Sequence, residues 1–332
     1  MGKKKSNSQS TRYRDKLADS LFPDPTRRGA FLSSLAAETP SHAIIWCGAR
    51  PERLPFPTQS ISHVPDELAA AVAREHRAGA DPLHDAGAYY CADCSSVAEA
   101  SIMLDAQLDR PIILDLCASP GGKSIFASRA LRPKTLVANE TIGKRLRQLA
   151  VNLERCHIDN AVVTSSDSSF FASEFAAAFD LVIVDAPCSG QSLPQRGVDA
   201  QNCFHPLVIS RNAGRQKRIL ANAFRCVSPG GYVAYMTCTF STEENEDVIR
   251  WALERFPDFT ATESPRLAPY RSEFSDFPAY RFLPGQGENV GAGGFSCLLQ
   301  RSTTAGIEDH ETKPFRRERI RAHWTSHTFD DE

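Results

Sequence analysis

The sequence predicts an α/β protein: a doubly wound, mainly parallel sheet over residues 95–301, preceded by a small α+β domain at 26–94. Three observations carry this prediction. Short β-rich runs alternate with helical patterns through the middle of the chain, a glycine-rich turn follows the first of those runs, and three later runs deliver a carboxylate at or near their C-terminal end. Such a sheet is covered by helices on both faces, so its strands read as continuous apolar runs rather than alternating ones.

Residues 1–25 read as a basic, flexible arm. Over residues 1–30, Lys3, Lys4, Lys5, Arg12, Arg14, Lys16, Arg27 and Arg28 face only Asp15, Asp19 and Asp24. The next segment reads as a helix (27–38), a strand (42–48), a proline-rich turn, a second helix (66–77) and GAYY (87–90), enough for a small domain of ferredoxin-like type. The sheet strands follow at 111–116, 135–139, 161–165, 180–185 and 231–237, with helices at 122–131, 143–156, 208–227 and 243–256. An apolar run at 294–300 has no helix after it and is expected to close the sheet antiparallel. Residues 302–332 are polar and read as a mobile tail, with one short helix at 313–324.

Composition removes several classes. Of the 332 residues, 42% are hydrophobic and 23% charged, values of an ordinary globular chain rather than a disordered one. No apolar stretch reaches the ~18 residues of a membrane helix, and MGKKKSNSQSTRYRDK leads into no apolar segment, so a cytoplasmic protein with no membrane partner is expected. The net charge of −2 announces no global field for nucleic acid, though a basic footprint can be local. The ten cysteines are scattered and read as reduced thiols. Cys91 and Cys94 form the one close pair and lack the further ligands of a zinc site, so no metal is expected.

The first strand runs into LDLCASPGGKS (114–124). A phosphate loop would need glycine where Cys117 stands, and the dinucleotide pattern G-x-G-x-x-G is also missing. A nucleoside-cofactor site survives. Such a site wants an acidic residue at the end of the next strand, where it can accept both ribose hydroxyls, and Glu140 stands there. Asp167 and Asp185 follow at the third and fourth strands. For any one of them a helix cap is as good a reading; Ser241 and Glu244 likewise match a capping box. In a sheet ordered 3-2-1-4-5, the ends of the fourth and fifth strands are neighbours, which would bring Cys188 and Cys238 to one crevice. Two thiols beside a cofactor site suggest covalent chemistry, although each alone reads more readily as a packed core thiol.

LDLCASPGGKS, VANE (137–140), KRLRQLAVNLERC (144–156), DAPCSG (185–190), Gln216, SPGGYVAYMTCT (228–239) and EENE (243–246), in this order and spacing, resemble the Nop/Sun family of S-adenosylmethionine-dependent RNA (cytosine-5) methyltransferases. The similarity runs from about Tyr89 to Gln300. It implies a Rossmann-type class I methyltransferase domain, S-adenosyl-L-methionine as cofactor, and a monomer acting on structured RNA, ribosomal in preference to transfer RNA. It implies Cys238 as the nucleophile that adds to cytosine carbon 6, Cys188 in product release and Asp185 on the Watson–Crick edge of the base. It further implies Cys117, Ala118, Ser119, Pro120, Gly121, Gly122, Lys123, Glu140, Arg145, Asp167 and Asp185 as cofactor-binding residues. The chain departs from the family pattern at Ala92 and Cys94, and at Ser192 and Gln195. Two other readings stand beside this one: a DNA cytosine methyltransferase, in which the Pro-Cys thiol would attack, and a catalytically silent RNA-binding or ribosome-assembly factor.

Overall fold

The computed structural model describes residues 2–200, 202–286, 289–304 and 315–325. The chain begins with helix α1 (Gly2–Leu21). The Asp24 carboxylate then accepts the Arg27 N–H at 2.8 Å and caps helix α2 (Pro25–Ala36), whose opening proline occupies a position that needs no donor. Strands β1 (Ser41–Trp46), β2 (Ala69–Ala73) and β3 (Tyr89–Ala92), with a single helical turn α3 (Pro82–Asp85) between the last two, form an antiparallel sheet in the order β2-β1-β3.

Helix α4 (Cys94–Ala100) leads into the main sheet. Its parallel part is built from β4 (Ile112–Asp115), α5 (Gly122–Leu131), β5 (Thr135–Asn139), α6 (Gly143–Arg155), β6 (Ala161–Thr164), α7 (Ser168–Glu174), β7 (Phe179–Asp185), α8 (Pro206–Cys226) and β8 (Val227–Thr237). Helix α9 (Glu246–Arg255) and strands β9 (Phe259–Ala261), β10 (Tyr280–Phe282), β11 (Gly294–Arg301) and β12 (Ala322–Thr325) complete it. The order is β10-β11-β8-β7-β4-β5-β6-β12, with β9 also on β11. The five central strands thus follow the expected 3-2-1-4-5 arrangement, and β11 pairs antiparallel with β8 as expected. Each central strand sends alternate residues to opposite faces. Ile113, Leu181 and Ile183 pack with Ile125, Phe126 and Leu149 on one side; Leu114, Val182 and Val184 pack with Phe171, Leu220 and Phe224 on the other.

Four sequence expectations need correction. Of the basic arm expected at 1–25, residues 2–21 form helix α1 rather than a flexible segment: Ala18, Leu21 and Phe22 are buried with Phe31, Phe204 and Phe240, and Phe31 meets Phe240 edge-on at 5.3 Å. The helix expected at 66–77 is strand β2, because pairing of Ala69 with Ile45 and of Ala73 with Ser41 overrides the helical propensity of an alanine run. The small domain has three strands among the described residues, not the four of a ferredoxin-like unit, and its inner face shares one core with α4 and α5. Where a tail helix was expected at 313–324, the described residues from 315 on form a short 3-10 turn and strand β12, which pairs antiparallel with β6, while Phe315 packs on Phe179 at 5.6 Å. Residues 305–314 and 326–332 of the tail lie outside the described residues.

Candidate active site

Ligands of doubly wound sheets bind beyond the carboxyl ends of the strands, where the connections diverge. Here that edge is laced together by polar groups. The buried Asn139 amide donates to the carbonyls of Leu116 and Ser166 at 3.1 and 3.0 Å and accepts the Ser166 N–H at 2.9 Å, tying the ends of β4, β5 and β6. Asp115, fully buried, accepts Ser124 Oγ at 2.7 Å and the Cys117 N–H at 3.3 Å, which shapes the glycine-rich turn. Burial pushes the Asp115 carboxyl up to about 7. Gly121 sits at φ +117° as that turn enters α5, a conformation glycine adopts freely.

Two cavities flank the turn. The smaller, about 150 Å³, is lined by Cys117, Glu140, Arg145, Asp167 and Pro187 among others, with Arg215 and Arg218 of α8. Glu140 is buried and accepts the Ile142 N–H at 2.9 Å, with Arg145 3.3 Å from its second oxygen. Arg145 is in turn latched to the turn: its guanidinium donates to the Ser119 carbonyl, and Ser119 Oγ donates to the Arg145 carbonyl at 3.0 Å. Asp167 caps α7 through one oxygen, accepting Ser169 N–H and Oγ, and those bonds hold its carboxyl below the usual value. Both readings of Asp167, helix cap and cavity wall, therefore hold at once.

The larger cavity, about 690 Å³, lies between the main and small sheets and is lined by Asp185, Lys123, Arg196, Ala118, Pro120, Gly122, residues of β1 and β3 and the turn after β2. The expected set from 117 to 123 is thus divided: Cys117 faces the smaller cavity, while Ala118, Pro120, Gly122 and Lys123 face the larger. Lys123 is 4% exposed and donates to Glu99 at 2.6 Å and to the Ser96 carbonyl at 2.8 Å. Against the desolvation that would lower it, Glu99 and Asp185 keep the Lys123 ammonium charged. Sequence reading missed Glu99, whose only signal is a carboxylate inside an apolar helix.

The two thiols meet. Cys188, after β7, and Cys238, after β8, are half-buried with their sulfurs 3.3 Å apart. β7 and β8 run parallel with Asp185 opposite Met236, so the two strand ends deliver both cysteines to one place. The Cys188 hydrogen bond and the Arg196 and Lys123 cations favour the Cys238 thiolate and, against burial, bring its pKa down to about 7. Cys188, which gives the proton to that bond, is pushed well above the ordinary thiol value.

The turns that carry the thiols are fixed by buried side chains. Glu244 is no capping-box partner of α9. Its carboxylate accepts the Ser189 N–H and the Gln216 amide, both at 2.9 Å, and so holds the Pro-Cys turn. Gln191 accepts the N–H groups of Phe240 and Ser241, and the Ser192 N–H donates to the Cys238 carbonyl at 3.2 Å. The departures from the family pattern have structural places. Gln195 donates to the Ala292 carbonyl at 3.1 Å, and Cys94 is fully buried with its sulfur 3.7 Å from Ser41 Oγ. Ala92 ends β3 on the wall of the larger cavity, beside the Asp93 that caps α4.

A five-stranded parallel core with a nucleoside-type pocket at its carboxyl edge defines a Rossmann-type methyltransferase fold. Residues 101–296 match the family described as 16S rRNA methyltransferase RsmB/F, and the chain belongs to that family. Among its relatives are the proteins named ribosomal RNA small subunit methyltransferase F from Pectobacterium carotovorum, 32% identical over 55% of this chain, and from Vibrio atlanticus, 34% identical over 54%. The chain spans 38% of the length of each. Two solved structures from Pyrococcus horikoshii share the fold. A methyltransferase homolog protein superposes with a TM-score of 0.68 at 21% identity, over 86% of this chain and 93% of its own. NSun6, solved with SFG, gives 0.66 at 16% identity over 87% and 97%.

Proposed function

We propose that the protein is an RNA (cytosine-5) methyltransferase that uses S-adenosyl-L-methionine to methylate carbon 5 of a cytosine in structured RNA, ribosomal in preference to transfer RNA. The observation that carries it is the pair of thiols 3.3 Å apart beside Asp185, next to a nucleoside-sized pocket. The family's description supports ribosomal RNA. A silent RNA-binding factor would have no need of a thiol brought down to about 7 beside a second thiol.

The residues of the smaller cavity fit the cofactor's nucleoside end. The Glu140 carboxylate suits a ribose diol, and the Asp167 oxygen not engaged by Ser169 suits an amino donor. Cys117, Arg145 and the latched Ser119 support that wall. When bound, the cofactor supplies an electrophilic methyl group. Carbon 5 of cytosine is a weak nucleophile, so Cys238 must first activate it. Its thiolate forms a bond to carbon 6, the 5,6 double bond opens with its electron pair shared between carbon 5 and N3, and Asp185 holds the Watson–Crick edge of the base by accepting from its exocyclic amino group. The resulting enamine carries nucleophilic density at carbon 5, which accepts the methyl group. Once Cys238 is bonded to carbon 6, Cys188 passes its own proton to solvent and as a thiolate takes the carbon-5 proton; the electron pair of that C–H bond re-forms the 5,6 double bond, and the Cys238–carbon 6 bond breaks with its pair returning to the Cys238 sulfur. Lys123 and Arg196 keep the local field positive while negative charge builds on sulfur and base.

Two outcomes follow. The reactive form of Cys238 is deprotonated, so kcat/KM should climb with pH through about 7 and level off above it, and should be lost progressively below. A flat profile from pH 6 to 8 in single-turnover assays would remove Cys238 as the titrating group. Glu140→Gln should weaken cofactor affinity by about 10- to 100-fold in calorimetry, the scale of a charge-assisted hydrogen bond. Unchanged affinity would place the ribose elsewhere.

A further inference from the structure

We infer that the outer wall of the larger cavity, formed by His42 of β1 and by Arg74 and Arg77 in the turn after β2, is a subsite for a backbone phosphate flanking the target cytosine. This rests on the RNA reading above. At about 690 Å³ the cavity matches the size of a whole drug-like ligand, more than a lone pyrimidine requires. At the inner end Lys123 bonds Glu99 at 2.6 Å, while Arg196 lies 3.8 Å from Asp93 and keeps a buried Nε with no partner. At the outer end Arg74 is paired no better than Arg196, and Arg77 less so. Arg74 donates to Thr39 Oγ1 at 2.7 Å, has Glu38 no closer than 4.0 Å, and keeps a buried Nε with no partner. His42 likewise has a buried Nε2 with no partner. The exposed Arg77 guanidinium has no hydrogen bond or ion pair among the described residues, and its backbone sits at φ +45°, a left-handed conformation that arginine adopts only at a cost.

Unmatched donors on the lip of a cavity call for an anion. A nucleotide whose base enters the cavity brings one along, since the chain carries a phosphate on either side of the sugar. The placement gives the small sheet a task the main sheet cannot perform: it anchors the strand while the base reaches Asp185. The cofactor's carboxylate is the other anion within reach of this chemistry, and the test separates the two.

The test measures anisotropy of a fluorescent oligocytidylate against potassium chloride concentration for wild type, Arg74→Gln, Arg77→Gly and Arg77→Lys. Cofactor affinity by calorimetry and the thermal midpoint are followed in parallel. Arg77→Gly should weaken RNA binding about fivefold at low salt, the scale of an exposed charge contact. It should also make the slope of log K against log salt shallower by about 0.7, the value for one phosphate of a single strand. Arg77→Lys should restore most of both, and Arg74→Gln should act in the same direction. Cofactor affinity should not change, and the thermal midpoint of Arg77→Gly should hold or rise because glycine relieves the left-handed backbone. Wild-type slope in both Arg74→Gln and Arg77→Gly would overturn the subsite while leaving the methyltransferase reading intact. Loss of cofactor affinity instead would assign the wall to the cofactor and overturn it too. Failure of the wild type to bind RNA would overturn both.

Discussion

Replacing Cys238 with alanine is expected to abolish methyl transfer, by at least about 10⁴-fold, while cofactor binding stays at the wild-type level. The size follows from the chemistry: without a bond to carbon 6, carbon 5 has no enamine density to offer. The selectivity follows from the architecture. Cys238 lies just after β8 on the Pro-Cys side of the crevice, and it neither lines Glu140's cavity nor takes part in the latch between Arg145 and Ser119. Tritiated S-adenosylmethionine with total ribosomal RNA as acceptor reads the first quantity and calorimetry the second. A variant that retained its rate would refute the nucleophile, and one that lost cofactor binding would show the change to be structural.

Cys188→Ala should stop the cycle later. The adduct forms but carbon 5 keeps its proton, so a covalent protein–RNA species should accumulate as a slow band on a denaturing gel. The same substitution removes the thiol that donates to Cys238, so the pH at which the adduct forms should move upward from about 7. These two effects have one cause, the contact at 3.3 Å. A variant with wild-type turnover and no adduct would reduce Cys188 to a packing role.

The main sheet was legible because its strands are buried on both faces and so stand out as short apolar runs. The run at 135–139 became β5 without a shift in either boundary, and Glu140 follows it on the wall of the smaller cavity. The thiol pair was legible because a parallel sheet of that order makes neighbours of β7 and β8. What escaped depends on contacts distant in sequence. AAAVA at 69–73 is helical by local preference and becomes β2 only because β1 is there to pair with it. Helix α1 docks through residues of its last turn onto Phe204 and Phe240, nearly two hundred residues away or more, which no local pattern announces. In the site, the resemblance placed Lys123 among the cofactor-binding residues of the glycine-rich turn. Its partners, Ser96 and Glu99, lie on α4, so its position facing the larger cavity could be read only from the fold. Glu244 matched a capping box in spacing and yet turns inward to Ser189 and Gln216, since a buried carboxylate must find donors wherever the packing offers them.

The identity of the attacking sulfur is the centre of this account, and peptide mapping of the adduct tests it most directly. RNA carrying 5-fluorocytosine offers no removable proton at carbon 5, so wild-type protein should remain bonded to it after methyl transfer. Digestion and mass spectrometry should place the nucleotide on the peptide containing Cys238. A nucleotide found on Cys188 instead would contradict the account and exchange the roles of the two thiols.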